Sequence, residues 1–209
     1  MKVLLTVLIS VGLSTTVGVV GGLLVRALPH RLNDIVMGFS AGIMLSAATV
    51  GLLAGAFTPE PQSILLAVAG ALAGAAVISL LDRFVPHLHR IAGVEFEKHR
   101  SNGAISKSLL FVAALAIHKI PEGLAVGVSF GTGDIGDVVT ITTAISLQNI
   151  PEAFVIVAPL FAVGVRAPRI IAISLGIGAV SICSVLSGYA LVSVFTGVLP
   201  FLQIGRAHV

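Results

Sequence analysis

The sequence predicts an all-α polytopic membrane protein, and its composition and its apolar runs carry that prediction. Of the 209 residues, 56% are hydrophobic and only 10% are charged, whereas soluble domains carry about 25% charged residues. The mean hydropathy is +1.10, and the apolar residues are gathered into runs of about 20, the length at which an α-helix crosses a bilayer. Composition therefore excludes a soluble catalytic domain, and the single cysteine, Cys183, excludes an internal disulfide.

Six apolar runs are predicted to be transmembrane helices. The first run is too long for a signal peptide and is followed by no A-x-A cleavage pattern, so we interpret it as a helix. Pairs of glycines four residues apart recur along the chain, a spacing that lets helix backbones approach closely in a compact bundle. The runs cover roughly residues 3–25, 34–57, 63–82, 107–130, 137–163 and 169–195. The glycine pairs are Gly18/Gly22, Gly38/Gly42, Gly51/Gly55, Gly70/Gly74 and Gly123/Gly127.

The basic residues of the loops predict the orientation in the membrane. Lysine and arginine are enriched in cytoplasmic loops, and here they fall in the first, third and fifth loops. Those residues are Arg26, Arg31, Arg83, Arg90, Lys98, Arg100, Lys107, Arg166 and Arg169. The opposite side carries only Lys2, with Glu60, Asp134 and Asp137 in its loops. We therefore expect a multi-pass protein of the cell inner (plasma) membrane with its N terminus outside the cytoplasm.

The third loop, about residues 84–106, is the one long loop and is predicted to be cytoplasmic. It contains His87, His89 and His99 among charged residues. Two interpretations stay open: a solvated linker with scattered histidines, or a weak metal-collecting segment, since neutral imidazole suits transition metals.

Two related hexapeptides lie inside predicted membrane helices. Residues 118–123 read H-K-I-P-E-G and residues 148–153 read Q-N-I-P-E-A. A carboxylate at bilayer depth is costly, so Glu122 and Glu152 mark a functional site by default. His118 lies four residues before Glu122, and Gln148 lies four before Glu152. Residues at that spacing share one helix face, so each helix presents half of a cation site.

The prolines of the two hexapeptides support this interpretation. Pro121 frees the carbonyl of Ile117, and Pro151 frees that of Leu147. Free carbonyls at membrane depth are tolerated only where they face protein or a wet cavity. We therefore predict a polar path between the helices. Two ordinary kinks, with their glutamates bonded to neighbouring helices, are the alternative.

The donor set indicates a transition metal. Zinc and iron accept mixed nitrogen and oxygen ligands, whereas calcium and magnesium prefer oxygens alone. Met44, in the second predicted helix, offers an additional soft thioether. A proton- or sodium-coupled carrier of another solute, using the glutamates and Lys119, is the alternative. An intramembrane metallohydrolase needs more ligands than one histidine at membrane depth provides, so we do not expect an enzyme.

The hexapeptides resemble those of the ZIP (Zrt/Irt-like) family of divalent metal transporters. Its fourth helix carries H-N-x-P-E-G and its fifth a related polar-x-x-P-E pattern. A long histidine-bearing loop before the fourth helix and the outside N terminus are also similar. The resemblance covers the chain to about residue 203.

The resemblance implies an eight-helix bundle of which six helices are present, so that residues 1–203 form an incomplete transmembrane domain. It implies a metal path between the second, fourth, fifth and sixth helices. The transported ion would be zinc foremost, or iron, manganese or cadmium, carried as substrate into the cytoplasm with no cofactor.

The resemblance also implies which residues bind metal. A first site matches Met44, His118, Glu122, Gln148 and Glu152. A second site normally adds an asparagine, an acidic residue or asparagine, and a glutamate of the sixth helix. Those positions correspond here to Lys119, Asn149 and Ser181. Because a lysine stands at one ligand position and a carboxylate is lost from another, we predict that the second metal does not bind.

The remaining expectations concern the partners and the end of the chain. We expect divalent metal ions and the lipid bilayer as partners and no nucleic acid, and leave a homodimer open. Residues 204–209 read I-G-R-A-H-V, which a common sequencing adapter encodes when it is translated. We therefore expect this hexapeptide to be a non-native tail.

Overall fold

A computed structural model describes residues 2–25, 30–49, 64–65, 68–76, 79–80 and 102–204. Within these ranges every regular element is helical, which confirms the all-α prediction. The labelled helices are α1 (Lys2–Val25), α2 (His30–Ser46), α3 (residues 68–76), α4 (Asn102–Ser129), α5 (Ile135–Ala162) and α6 (Ala167–Ile204). A short 3-10 helix, Phe130–Thr132, follows α4.

The described part of the chain contains four helices that are long and apolar enough to cross a membrane. They are Lys2–Val25, Val112–Thr132, Ile135–Ala162 and Ala167–Val194. A shorter apolar helix covers Asp34–Thr49 in the second predicted span. The prediction of a polytopic membrane protein is thereby confirmed. Most of the third predicted span lies outside the described residues.

The helix ends differ from the sequence prediction. The second, fourth, fifth and sixth helices each begin two to five residues before the predicted apolar runs, because an α-helix continues through polar residues once its ladder of hydrogen bonds has formed. The predicted loop 84–106 is therefore too long, since α4 already begins at Asn102. The last helix also continues beyond residue 195 to Ile204. Residues 84–101, including His87, His89 and His99, and residues 205–209 lie outside the described residues.

The packing places α1 against both α5 and α6, while α4 packs against α6 and α2 against α5. One cluster of buried side chains includes Val19, Ile156 and Ile170. A second includes Val11 and Val126. Large apolar side chains also point outwards, and Leu24 is 80% exposed. An apolar outer surface is what a bundle in contact with lipid requires.

Glycines set the closest approach between helices. A Cβ atom on Gly18 of α1 would lie 2.2 Å from the main-chain oxygen of Ile150 in α5. One on Gly127 of α4 would lie 2.2 Å from the main-chain oxygen of Val185 in α6. No larger residue fits at such a distance. The predicted close approach is therefore confirmed for Gly18 and Gly127, and also for Gly22 and Gly123, the other members of their sequence pairs.

The other glycine pairs do not behave as predicted. Gly38, Gly42, Gly70 and Gly74 are exposed and have no described atom within 4 Å of an added Cβ. The prediction of a close approach is wrong for them within the described residues, because spacing alone does not indicate which face of a helix meets a neighbour. Gly51 and Gly55 lie outside the described residues.

A tight connection brings α4 and α5 together. Gly133 adopts a left-handed conformation with φ 75°, which glycine reaches without steric cost. The carboxylate of Asp134 then caps α5 by accepting a hydrogen bond from the main-chain nitrogen of Gly136 at 2.7 Å. Helices joined by so short a connection run antiparallel as neighbours, so the two hexapeptides lie opposite each other.

Candidate metal site

Both hexapeptides lie within continuous helices, with Pro121 inside α4 and Pro151 inside α5. Gln148 is 13 residues into a helix of 28 residues. The hexapeptide of α5 therefore begins about 20 Å from the start of a helix that is about 42 Å long. This places its polar side chains near the middle of a membrane span.

Three potential ligands converge between α4 and α5. The side chains of His118, Glu122 and Glu152 each offer an atom within 4.8 Å of the others. His118 Nε2 lies 3.7 Å from Glu122 Oε1, as expected for residues one turn apart. The side chains of Glu122 and Glu152 are 10% and 19% exposed, and that of His118 is 36% exposed. One nitrogen and two carboxylates form a donor set that suits a divalent transition metal.

Gln148 extends this group to four side chains. Its Nε2 donates a hydrogen bond of 2.7 Å to Glu122 Oε1, and the residue is 2% exposed. Its Oε1 is buried and meets no hydrogen-bond donor among the described residues. A buried acceptor without a donor is costly, and a cation would satisfy it. We refer to His118, Glu122, Gln148 and Glu152 as the inner cluster.

Lys119 lies beside the inner cluster and is 1% exposed. Its ammonium group donates to Glu122 Oε2 at 2.8 Å and to Asn149 Oδ1 at 2.6 Å. It also donates to Glu152 Oε2. Its three donor positions are thus all used. A buried lysine with these partners does not extend to the membrane surface.

A serine that the sequence did not single out continues this network to α1. Asn149 Nδ2 donates to Ser14 Oγ at 3.0 Å, and Ser14 Oγ donates to the main-chain oxygen of Val11 at 2.9 Å. Both Ser14 and Asn149 are buried. Polar residues inside an apolar span often bond across helices, and this signal could have identified Ser14. The partner of Ser14 could not be deduced, because it depends on how α1 packs against α5.

Two predicted site residues are not brought into the inner cluster by any described contact. Met44 is half-buried on α2, one turn beyond Ser40, whose hydroxyl donates to the main-chain oxygen of Gln148 at 3.2 Å. Ser181 is buried on α6, and its hydroxyl donates to Ile177 of its own helix at 3.2 Å. Metal binding by Met44 and the second-site role of Ser181 stay predictions.

These observations define a helical membrane protein with a partly buried nitrogen and carboxylate cluster suited to a divalent cation. No protein-family model matches the chain. The chain is 32% identical over 146 residues to zinc transporter ZIPB of Bordetella bronchiseptica, covering 66% of this chain and 46% of that protein. It is 30% identical over 143 residues to zinc transporter GufA of Myxococcus xanthus, covering 68% and 54%.

A third relative, zinc transporter ZupT of Salmonella paratyphi A, is 29% identical over 126 residues, covering 60% of this chain and 49% of that protein. These relatives support the assignment of the chain to the ZIP family. The chain spans about half the length of the relatives that it matches.

Proposed function

We propose that the protein transports divalent transition-metal ions across the membrane into the cytoplasm, and that the inner cluster binds the ion on its way. The observation that carries this proposal is the convergence of His118, Glu122 and Glu152 within 4.8 Å inside membrane helices. The names of the relatives support zinc as the first ion to test. Iron, manganese and cadmium accept the same ligand types.

The chemistry of the inner cluster fits a dication better than another solute. Glu122 and Glu152 supply two negative charges where the dielectric constant is low and charge attraction is strong. The imidazole of His118 favours a transition metal over calcium and magnesium, which prefer oxygen ligands alone. The ion is the substrate, so its binding must be strong enough for capture and weak enough for release.

Lys119 favours a single bound ion. Glu122 and Glu152 carry a formal charge of −2, which the lysine brings to −1. One dication then gives +1, and two dications would give +3. We propose that Lys119 is a tethered cation that stabilises the empty cluster between transport steps. The second-site positions Lys119, Asn149 and Ser181 then hold no metal, and the single ion binds more weakly than in a two-metal site.

The same lysine also favours a second candidate function. Lys119 contacts both Glu122 and Glu152, as a charge relay in a proton- or sodium-coupled carrier would. Such a carrier would transport another solute and would show no dependence on transition metals. Metal dependence therefore separates the two candidates.

The distribution of basic residues supports the inner (plasma) membrane and an outside N terminus as the setting of this activity. Uptake would then run towards the side that carries the arginine-rich loops. A homodimer remains compatible with the proposal and is not required by it.

The test is a zinc titration of the chain purified in lipid nanodiscs, followed by uptake into vesicles with competing metals. We expect one zinc ion per chain in the inner cluster, and we expect binding at the inner cluster to be lost in a Glu122→Gln variant. Asp134→Asn is the matched control, because it removes one carboxylate at the helix end and leaves an asparagine that caps equally well. Zinc binding that is identical in wild type and Glu122→Gln would refute the assignment of transport to the inner cluster.

A further inference from the structure

A cleft lies between α2 and α5, away from the inner cluster. Its volume is about 280 Å³, and its polar lining residues are Ser46 from α2 and Asp137 and Thr140 from α5. Apolar residues, among them Ile43 and Ala144, form the rest of its wall. Asp137 lies in the first turn of α5 and is exposed, so the cleft is open to water at the end of the membrane span.

The cleft lies on the same face of α5 as the inner cluster. Asp137, Ile141, Ala144 and Gln148 follow one another at steps of four, three and four residues, which keeps them on one helix face. The 11 residues from Asp137 to Gln148 correspond to about 16 Å along the axis. The α5 wall of the cleft therefore continues directly to Gln148.

The α2 wall continues to the same point. Ser40 is held against Gln148 by its hydrogen bond to the main-chain oxygen. Ile43 and Ser46 follow one and two turns later and line the cleft. The α2–α5 interface thus contains the Ser40 contact beside Gln148 and, one to two turns further along α2, the cleft, whose lining includes one carboxylate and two hydroxyl groups.

We propose that this cleft is an outer cation site, which a divalent ion occupies before it reaches the inner cluster. Asp137 provides the charge, and the hydroxyl groups of Ser46 and Thr140 provide further oxygens. This inference rests on the proposed function for the order of binding. The oxygens can hold an ion that keeps part of its water shell, as magnesium and manganese do. The outer site would therefore not select for a transition metal; the imidazole nitrogen of His118 in the inner cluster would do so.

Asp137 has a competing structural role that the experiment must separate. A carboxylate in the first turn of a helix is favoured by the helix dipole. Asp134, at the same end of α5, caps the helix by its bond to Gly136 and is not part of the cleft lining. The Asp137→Asn and Asp134→Asn variants remove the same charge from the same end, and only the first alters the cleft.

The first measurement uses manganese alone and the Glu122→Gln background, in which the inner cluster is disabled. The chain is held in nanodiscs, and free Mn²⁺ is followed by electron paramagnetic resonance. We expect one weakly bound Mn²⁺ per chain, lost on adding Asp137→Asn and kept on adding Asp134→Asn. Equal Mn²⁺ binding by both double variants would overturn the outer site. A complete absence of Mn²⁺ binding in the Glu122→Gln background would overturn it as well.

The second measurement follows the rate at which Zn²⁺ binds to the otherwise unmodified chain by stopped-flow mixing with a fluorescent chelator. We expect Asp137→Asn to slow association at least fivefold with an unchanged dissociation rate, and Asp134→Asn to slow it less than twofold. Millimolar Mg²⁺ should slow association in the wild type and not in Asp137→Asn. If the two variants are slowed equally, the charge acts only through the surface potential and the proposed order of binding is wrong. Failure of the proposed function would give a different result: in the zinc titration, Glu122→Gln would bind zinc like the wild type.

Discussion

The ammonium group of Lys119 lies 2.8 Å from Glu122 Oε2, three residues later on the same helix, and the lysine is 1% exposed. The same nitrogen donates to Glu152 on the facing helix. The two carboxylates that a dication would need are therefore already paired with a cation that belongs to the protein. Removing one partner of a buried ion pair is costly because the other charge is left unpaired. Lys119 thus stabilises the helix pair, and under the proposed function it would compete with an incoming ion.

Replacing Glu122 or His118 by alanine should abolish metal binding and uptake while leaving membrane insertion intact. The loss of one carboxylate leaves a dication under-neutralised where the dielectric constant is low, and we expect binding to weaken by several kcal/mol. Zinc titration of the purified variants and vesicle uptake provide the measurement. Retained zinc uptake by Glu122→Ala, with normal insertion, would contradict the proposed site.

Ser14→Ala should tighten metal binding by about threefold. The change removes the acceptor of the Asn149 amide group, so Asn149 is held less firmly and stabilises Lys119 less. A hydrogen bond between membrane helices contributes about 0.6 kcal/mol, which corresponds to about a threefold change in affinity. The readout is the zinc dissociation constant.

Ser10→Ala is the matched control for this variant. Ser10 shares a hydrogen bond of 2.9 Å with Ser146 between the same two helices, and it lies outside the network of Lys119. Both variants should lose similar stability, and only Ser14→Ala should alter zinc affinity. An equal affinity change in both would show that Ser14 acts through helix packing alone.

The sequence predicted the local half of the site well. Periodicity along one helix placed His118 beside Glu122, and the distance between their side chains agrees. This relationship depends only on the geometry of the α-helix. The convergence of the two helices was expected from the repeated hexapeptide, and it too is present.

Contacts between distant helices could not be predicted in the same way. The bond from Asn149 to Ser14 spans 135 residues and depends on how α1 packs against α5. The same limit explains the glycine pairs, since Gly18 meets a neighbouring backbone while Gly38 is exposed. Spacing defines a helix face, and tertiary packing decides which face is covered.

Gly18→Ala should destabilise the bundle. The added Cβ atom would lie 2.2 Å from the main-chain oxygen of Ile150, and a backbone atom cannot move away as a flexible side chain can. Overpacking of this kind costs about 1–3 kcal/mol. Thermal unfolding of the purified chain, followed by circular dichroism, should show a lower midpoint. Gly176→Ala is the control, since an added Cβ there meets no atom of the described residues within 4 Å. Equal midpoints for the two variants would contradict the packing.

Lys119→Asn should tighten zinc binding and lower the stability of the metal-free chain. Without the ammonium group, Glu122 and Glu152 face each other with no counter-charge, which destabilises the empty cluster. The same two charges are then free for the ion, and ligand binding restores stability by mass action. The difference in unfolding midpoint with and without zinc should therefore be larger in Lys119→Asn than in the wild type.

The number of bound ions tests the tethered-cation proposal most directly. Calorimetry should give one zinc ion in the inner cluster of the wild type, and Lys119→Asn should bind that ion more tightly and gain a partial second site there. Lys119→Arg keeps the positive charge and serves as the control, and it should not gain a second ion. Two zinc ions bound by the inner cluster of the wild type, with Lys119 in place, would show that the lysine does not occupy the position of a metal.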